Sequence, residues 1–199
     1  MPVNPNDPRV KRTRQLLMQS FMELLEQKKN IYSISIQDIA EQATVNRATF
    51  YAHFEDKYAF LESWMREKFQ RKIRESLPTA AISDMRSLRT LIYAVFDFLA
   101  RNREYMKPGD SQFEPLFEIA TQKELHQLLL QWLGEEPNAS VPRETIEATA
   151  LVVSWGIFGS AVQWSRSPQN RSAEAMVRDV LAVVAASLAP VLDRAGGGG

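Results

Sequence analysis

The chain of 199 residues contains no cysteine and only two histidines, His53 and His126. It can therefore form neither disulfides nor thiolate metal sites, and it has no cysteine nucleophile, a composition compatible with a reducing cytosol. No cluster of histidine and acidic residues has metal-ligand spacing, and no glycine-rich loop suits a phosphate group. The serine after Gly159 lacks the frame of a nucleophile elbow. We expect a protein that is not an enzyme and that holds no metal and no cofactor.

Uninterrupted apolar runs and strand patterns are missing as well. Residues 1–14 lack the apolar core of a signal peptide. The most apolar stretch, residues 148–164, is interrupted by Thr149, Ser154, Ser160 and two glycines, which favours a buried helix over a membrane span. No segment shows a sustained alternation of apolar and polar residues. The sequence therefore predicts an all-α protein that resides in the cytoplasm and has no membrane partner.

Charge is distributed unevenly along the chain, although the net charge is zero. Residues 1–74 carry 13 Lys or Arg against nine Asp or Glu, whereas residues 75–199 carry 11 against 15. A positive excess in the N-terminal part suits contact with nucleic acid, and a solubilising tail is the alternative for the first cations. These N-terminal cations are Arg9, Lys11, Arg12 and Arg14.

Prolines and capping residues divide the chain into helical segments. Asp7-Pro8 has the pattern of an N-cap followed by proline in the first turn, so the first helix begins there and ends near Lys29. The segment Met106–Pro115, with two prolines and a glycine, is predicted to be a loop. Apart from two short helices between residues 35 and 54, the further predicted helices cover residues 56–77, 84–105, 116–133, 142–167 and 173–192.

Two short helical patterns separated by three residues lie between residues 35 and 54. Ser35 and Asp38 have the spacing of a capping box for the first of them. Asn46 is a suitable N-cap for the second helix, and Val45 with Phe50 fits a hydrophobic staple that fixes its angle. Two helices held at a set angle by a tight turn form a helix-turn-helix, whose second helix can enter a DNA major groove.

The second helix, predicted for Arg47–His53, turns Phe50 inward and several donors outward. Arg47 suits a bidentate contact to guanine, and Gln37 in the preceding helix is a second candidate for reading bases. Thr49, Tyr51 and His53 have donors suited to phosphate oxygens. Ala48 would contact a thymine methyl or simply permit close approach to the DNA. Lys57 would meet a phosphate beside an N-cap at Asp56, and Asn46 completes the predicted set of DNA-contacting residues.

The string T-F-Y-x-H-F-x-D-K, from Thr49 to Lys57, resembles the DNA-binding domain of the tetracycline-repressor (TetR) family. The resemblance covers about residues 9–69. It implies a homodimeric transcriptional regulator, usually a repressor, that a small molecule releases from its operator. By position it implies base contacts from Gln37, Arg47, Ala48 and Thr49, and backbone contacts from Ser35, Tyr51, His53 and Lys57.

The family's turn usually contains glycine where this chain has Thr44. Threonine is unfavourable if that position needs a positive φ, so we expect a slightly rebuilt turn. The predicted division is a three-helix DNA-binding domain over residues 1–56, a helical effector-binding and dimerisation domain over 57–194, and a disordered glycine tail over 195–199. The long helix from Asp56 would join the two domains and transmit motion between them.

The last two predicted helices are rich in small and apolar residues. Apolar positions surround residues 142–166, so we expect that helix to be enclosed on nearly all sides. Gly156 and Gly159 would allow another helix to approach closely. Together with residues 173–192 it suits a four-helix interface between two copies of the chain, and packing within one chain is the alternative.

An effector pocket is predicted between the fourth and seventh helices. The aromatic content suggests a small apolar or aromatic effector, whereas an ordinary core role is the alternative for each residue. The candidate lining residues are Trp64, Phe96, Phe113, Phe117, Trp132, Trp155 and Phe158. The alternative function is a helical adaptor that binds protein partners and no DNA.

Overall fold

The computed structural model describes residues 7–77, 82, 84–106, 108–135, 141–167 and 171–192, and within these ranges the structured segments are helical. The α-helices are α1 Pro8–Lys28, α2 Ile36–Gln42, α3 Arg47–His53, α4 Lys57–Ser76, α5 Met85–Tyr105, α6 Glu114–Glu135, α7 Arg143–Arg166 and α8 Ala173–Leu192. A short 3-10 helix, η1, covers Pro108–Phe113. The predicted all-α class is confirmed. The predicted glycine tail lies outside the described residues.

The chain forms two compact units. The first contains Met1–Met65 and Tyr105–Glu118, and the second contains Arg66–Glu104 and Ile119–Gly199. Both α4 and α6 therefore contribute residues to each unit. The predicted domain boundary at residue 56 remains a prediction.

An aromatic cluster forms the core of the first unit. Phe21 of α1 makes edge-to-face contacts with Phe60 and Trp64 of α4, at centroid distances of 5.3 and 5.0 Å. Phe60 also contacts Phe50 of α3 and Phe54 at its end. Phe21, Phe50 and Phe60 have no solvent-exposed surface. Offset and edge-to-face ring pairs stabilise by about 0.5–1.5 kcal/mol beyond their buried area, so this cluster binds α1, α3 and α4 together.

The segment between α5 and α6 differs from the predicted loop. η1 begins at Pro108, and α6 begins at Glu114 rather than Leu116. Pro115 lies in the first turn of α6, where a missing amide hydrogen removes no helical hydrogen bond. Proline indicates a loop in many sequences, but in a first turn it is compatible with a helix.

In the second unit, α7 and α8 leave an apolar surface in contact with solvent. Leu151, Val152 and Trp155 of α7 are 47, 63 and 53% exposed, and Val183 of α8 is 68% exposed. The expectation that residues 142–166 are enclosed on nearly all sides is therefore wrong within one chain. A Cβ added at Gly156 or Gly159 would meet no atom within 4 Å, so the packing of the single chain does not require either glycine.

By length and composition alone, α7 could cross a membrane. Among the described helices it is the one that reaches this limit, and a third of its most apolar window is buried in the protein. The helix has Ser154 and Ser165 among its buried residues.

Candidate nucleic-acid interface

The capping box predicted for α2 is present. Ser35 Oγ accepts a hydrogen bond from the Asp38 amide at 3.1 Å, and the Ser35 amide donates to Asp38 Oδ2 at 2.7 Å. The hydrogen bonds from the Ser35 amide and hydroxyl, followed by Lys28, lower the pKa of Asp38 to about 2. Its carboxylate is therefore charged at neutral pH, where it favours the positive end of the helix dipole.

The turn after α2 keeps its tight geometry although it contains threonine. The Val45 amide donates to the Ala40 carbonyl and the Thr44 amide to the Glu41 carbonyl, both at 3.0 Å. This pair of bonds is a Schellman motif, which places Thr44 at φ 54°. The expected rebuilding of the turn is not seen, because the two hydrogen bonds hold a β-branched residue in the left-handed region.

The N-cap and the inward side of α3 match their prediction. Asn46 Oδ1 accepts from the Thr49 amide at 2.8 Å and from Thr49 Oγ1 at 3.1 Å. Phe50 is fully buried against Phe54 and Phe60. A seven-residue helix is too short to be stable alone, so this apolar seat is what holds α3 in place.

The outward side of α3 is exposed and polar. Arg47 and Ala48 are exposed, and Tyr51 is 45% exposed. Arg47 Nη2 donates to Tyr51 Oη at 3.1 Å, and the guanidinium carbon lies 5.6 Å from the Tyr51 ring centroid. The guanidinium has five donors and this bond uses one, so a bidentate contact to a base or phosphate remains possible.

Other members of the predicted set already have partners within the protein. The Ser35 hydroxyl donates to Asp38 Oδ2 at 2.8 Å, and Gln37 Nε2 donates to Glu41 Oε1 at 2.6 Å. Both groups would have to exchange these bonds to contact DNA. Asn46 uses its carbonyl oxygen for the cap, which leaves its amide nitrogen as a donor.

Arg14 supports α3 in a way the sequence did not indicate. Its guanidinium lies 4.7 Å from the Phe54 ring centroid and donates to Ser63 Oγ of α4. Burial, followed by the charge of Arg14, lowers the pKa of His53. In the free protein this shift favours the neutral imidazole, which can still donate one hydrogen bond to a phosphate.

Lys57 links the start of α4 to the segment before α2. Asp56 caps α4 as predicted, because its Oδ1 accepts from the Ala59 amide at 2.7 Å. The Lys57 ammonium donates to the Ile31 carbonyl at 2.7 Å and the Tyr32 carbonyl at 3.4 Å. Burial lowers its pKa, whereas the nearby carboxylate of Asp110 opposes that shift. One ammonium hydrogen is left for a phosphate.

Asp110 of η1 is a second residue that sequence reasoning missed. It is 1% exposed, and its Oδ1 accepts from the Tyr32 amide at 3.0 Å. The ring centroid of Phe113, also in η1, lies 5.5 Å from the Lys57 ammonium nitrogen. The segment Ile31–Tyr32 is thus held from two sides. Lys57 of α4 donates to its carbonyl groups, and Asp110 of η1 accepts from its Tyr32 amide.

The seven aromatics predicted to line an effector pocket belong to both units. Trp64, Phe113 and Phe117 lie in the first, where Phe117 contacts the rings of the other two. The second unit contains the remaining four: Phe96, Trp132, Trp155 and Phe158.

Three of those four aromatics are buried, whereas Trp155 is exposed on the apolar surface of α7. A cavity of about 260 Å³ between α4 and α6 of the second unit is lined by none of the seven. Among the residues that the structure describes, no group of three or more His, Asp or Glu could hold a metal ion.

Comparisons with known proteins point to one family. Residues 22–63 match the model of the bacterial regulatory proteins of the tetR family. Over 57 residues the chain is 39% identical to an uncharacterized HTH-type transcriptional regulator, YxbF, from Bacillus subtilis (strain 168), a match that covers 29% of this chain and only 15% of that protein.

A longer match extends beyond the helix-turn-helix. Over 154 residues the chain is 27% identical to the HTH-type transcriptional repressor DhaR from Mycobacterium sp. (strain GP1), covering 69% of this chain and 77% of DhaR. A crystal structure of a TetR-family transcriptional regulator from Streptomyces coelicolor has the same fold, with a TM-score of 0.51 and 18% identity over 90% of this chain and 99% of that one. The matched region contains α2, the turn and α3, whose geometry is that of a DNA-reading unit.

Proposed function

We propose that this chain, whose residues 22–63 match the model of the bacterial regulatory proteins of the tetR family, is a homodimeric repressor that a small molecule releases from operator DNA. In this proposal α3 of each protomer enters a major groove of duplex DNA. Half-sites in such operators lie about 34–36 Å apart, so two readers must be held at a fixed separation.

The observation that carries the proposal is the two-sided character of α3. Its inner side is the fully buried Phe50, and its outer side presents Arg47, Ala48 and Tyr51 to solvent. A short helix with an apolar seat and an exposed row of donors is a rigid probe for base edges and phosphates. Arg47 would read guanine, while Tyr51 and His53 would fix the register on the backbone.

The apolar surface on α7 and α8 supports a homodimer. It combines exposed Leu151, Val152 and Trp155 with Val183 and with two glycines that nothing in the chain's own packing requires. Removing apolar surface from water is favourable by about 25 cal/mol per Å², so covering this surface would stabilise an assembly. A second copy of the same surface related by a two-fold axis would cover it and close the assembly.

Release by an effector would be a population shift between two arrangements of the dimer. An effector that binds the DNA-incompetent arrangement better lowers operator affinity, and operator DNA must weaken effector binding by the same factor. A cytoplasmic location follows from the need to meet the genome.

The test begins with selection of duplexes from a random library by the full-length protein. For the best duplex, Arg47→Ala should weaken binding by about 1–3 kcal/mol and relax the preference at one base position. Arg86→Ala, which removes an exposed arginine of α5, is the matched control and should leave affinity unchanged. Fluorescence anisotropy at several salt concentrations measures the affinity of each variant for the selected duplex and for duplexes changed at one base position.

Two results would contradict the proposal. If no duplex is enriched, or if Arg47→Ala binds the selected duplex like the unmodified protein, α3 is not the reader and a protein-binding adaptor becomes the better account. For the release step, the observation to seek is a fall in operator affinity in a gel-shift titration with an effector. Unchanged affinity at a saturating effector concentration would contradict that step alone.

A further inference from the structure

The second unit contains a cavity of about 260 Å³ between the C-terminal half of α4 and the middle of α6. All of its lining residues belong to that unit. Small-molecule sites typically measure about 300–1,000 Å³, so this cavity suits a small ligand and is too small for a long chain or a large ring system.

One side of the cavity is apolar. This side is lined by Phe69 and Ile73 of α4, by Leu77 just after it, and by Ile82. All four residues are buried, and none is more than 7% exposed. Leu128 of α6 is half-buried on the same cavity. An occupant therefore gains by placing a hydrocarbon body against this side.

The buried anion at the cavity is already compensated. Glu124 is 8% exposed, its Oε1 lies 2.9 Å from Arg66 Nε, and its Oε2 accepts from Gln70 Nε2 at 2.7 Å. Both carboxylate oxygens thus have partners within the protein. Glu124 shapes and rigidifies the wall, and it would repel a second carboxylate placed next to it, which directs a ligand's acid group elsewhere.

The available charge at the cavity is a cation. Arg74 lines the cavity, is exposed, and makes no ion pair or hydrogen bond with any part of the chain that the structure describes. Gln127 lies on the α6 side and also keeps its amide free of partners in the described ranges. A guanidinium binds a carboxylate through two parallel hydrogen bonds, and at an exposed position the ligand's acid group need not lose all its water.

We propose that this cavity binds a small monocarboxylate with an apolar body, whose carboxylate pairs with Arg74 and whose body lies against Phe69, Ile73 and Leu77. The ligand class deepens the proposed function, because it rests on the regulator having an effector site. Octanoate and 2-naphthoate are suitable aliphatic and aromatic probes, and octylamine and 1-octanol match octanoate in length but lack the acid.

The test is isothermal titration of the full-length protein with these four probes. At least one of the two acids should bind. If octanoate binds, octylamine and 1-octanol should each bind at least tenfold more weakly than octanoate. Arg74→Gln should weaken binding of the acid at least tenfold, whereas Arg71→Gln, on the same helix but outside the cavity, should not change it. Leu128→Trp, which fills the cavity without changing charge, should abolish binding.

The proposal is overturned if neither acid binds up to millimolar concentration, or if Arg74→Gln and Arg71→Gln behave alike. Circular dichroism spectra of the variants establish that they are folded, so that lost binding reflects the cavity. Duplex selection by the ligand-free protein separates the two proposals. Selective DNA binding without acid binding contradicts only the cavity proposal, and acid binding without any enriched duplex contradicts only the repressor proposal.

Discussion

Helix α3 and helix α7 each leave one side uncovered, but the two uncovered sides differ in chemistry. On α3 the exposed residues include Arg47, Ala48 and Tyr51, and Phe50 on the opposite side has no exposed surface. On α7 they include Leu151, Val152 and Trp155, with two exposed glycines beside them. Both helices are held by buried residues on the opposite side, so neither exposed side is needed to hold its own helix in place.

The difference indicates what each side would contact. Donors and a guanidinium gain from acceptors such as phosphates and base edges, whereas leucine, valine and tryptophan gain only by leaving water. The two glycines of α7 add to this difference, because glycine inside a helix lowers its stability by roughly 0.5–1 kcal/mol relative to alanine. Close approach of a partner helix in the proposed dimer would account for two such residues on an exposed side. Four substitutions test this division of roles.

Phe50→Ala should remove the seat of α3. Truncating a fully buried phenylalanine costs about 3–5 kcal/mol of the free energy of unfolding, through lost burial and the cavity left behind. Urea unfolding followed by circular dichroism measures the loss. Tyr51→Ala is the control, because it removes an exposed ring from the same helix and should cost far less stability while still weakening DNA binding. Equal destabilisation by Phe50→Ala and Tyr51→Ala would contradict the assignment of Phe50 to the buried side and Tyr51 to the outer side of α3.

Val183→Glu should separate the proposed dimer. A carboxylate placed in the centre of an apolar interface costs several kcal/mol, so the dimer dissociation constant should rise on the order of a hundredfold or more. Sedimentation equilibrium measures it. Ile119→Glu places the same charge at an exposed apolar residue of α6 and should leave the association unchanged. A dimer that tolerates Val183→Glu would assign the α7–α8 surface to another partner.

Asp38→Asn should weaken the capping box of α2 and change its pH response. The folded-state pKa of about 2 lies below the ordinary 3.8, so the carboxylate stabilises the fold above pH 3.8, and this contribution is lost as the pH falls toward 2. At pH 7 the variant should lose about 1 kcal/mol. The stability difference between the two proteins should then shrink between pH 4 and pH 2. A difference that stays constant over that range would show that Asp38 does not act through its charge.

Thr44→Gly should stabilise the turn that sets the angle of α3. A left-handed φ costs an L-residue about 1–2 kcal/mol, and glycine's greater freedom in the unfolded chain offsets part of that, which leaves a gain of about 0.5–1 kcal/mol. Thermal unfolding measures the gain, and Thr49→Gly in α3 is a control that should destabilise. A loss of stability in Thr44→Gly would mean that the threonine side chain contributes more than its backbone strain costs.

Local rules predicted the helix-turn-helix well. The caps at Ser35, Asn46 and Asp56 lie within three residues of the amides they bind, so spacing in the sequence is enough to find them. The family resemblance named the turn position of Thr44, but only the structure shows that two backbone hydrogen bonds hold its positive φ.

Contacts between distant residues could not be predicted in the same way. Asp110 and Tyr32 are 78 residues apart, and Arg14 and Ser63 are 49 apart, so no periodicity relates them. The cavity beside Arg74 depends on how α4 and α6 pack, and none of the seven aromatics predicted to line an effector pocket lies on it, so their role stays a prediction. The exposure of α7 was missed because its sequence is apolar all around, which does not say whether the covering surface belongs to the same chain.

The hydrogen bond from the Tyr32 amide to Asp110 gives that amide proton a diagnostic use. The Tyr32 side chain is 68% exposed, so an unprotected amide at this position would exchange with deuterium quickly. Because its acceptor is a carboxylate with 1% exposure, exchange at Tyr32 should be slow and should accelerate whenever η1 leaves the segment before α2. A single peptide-level or residue-level exchange rate would thus report on η1 without any label or added reporter group.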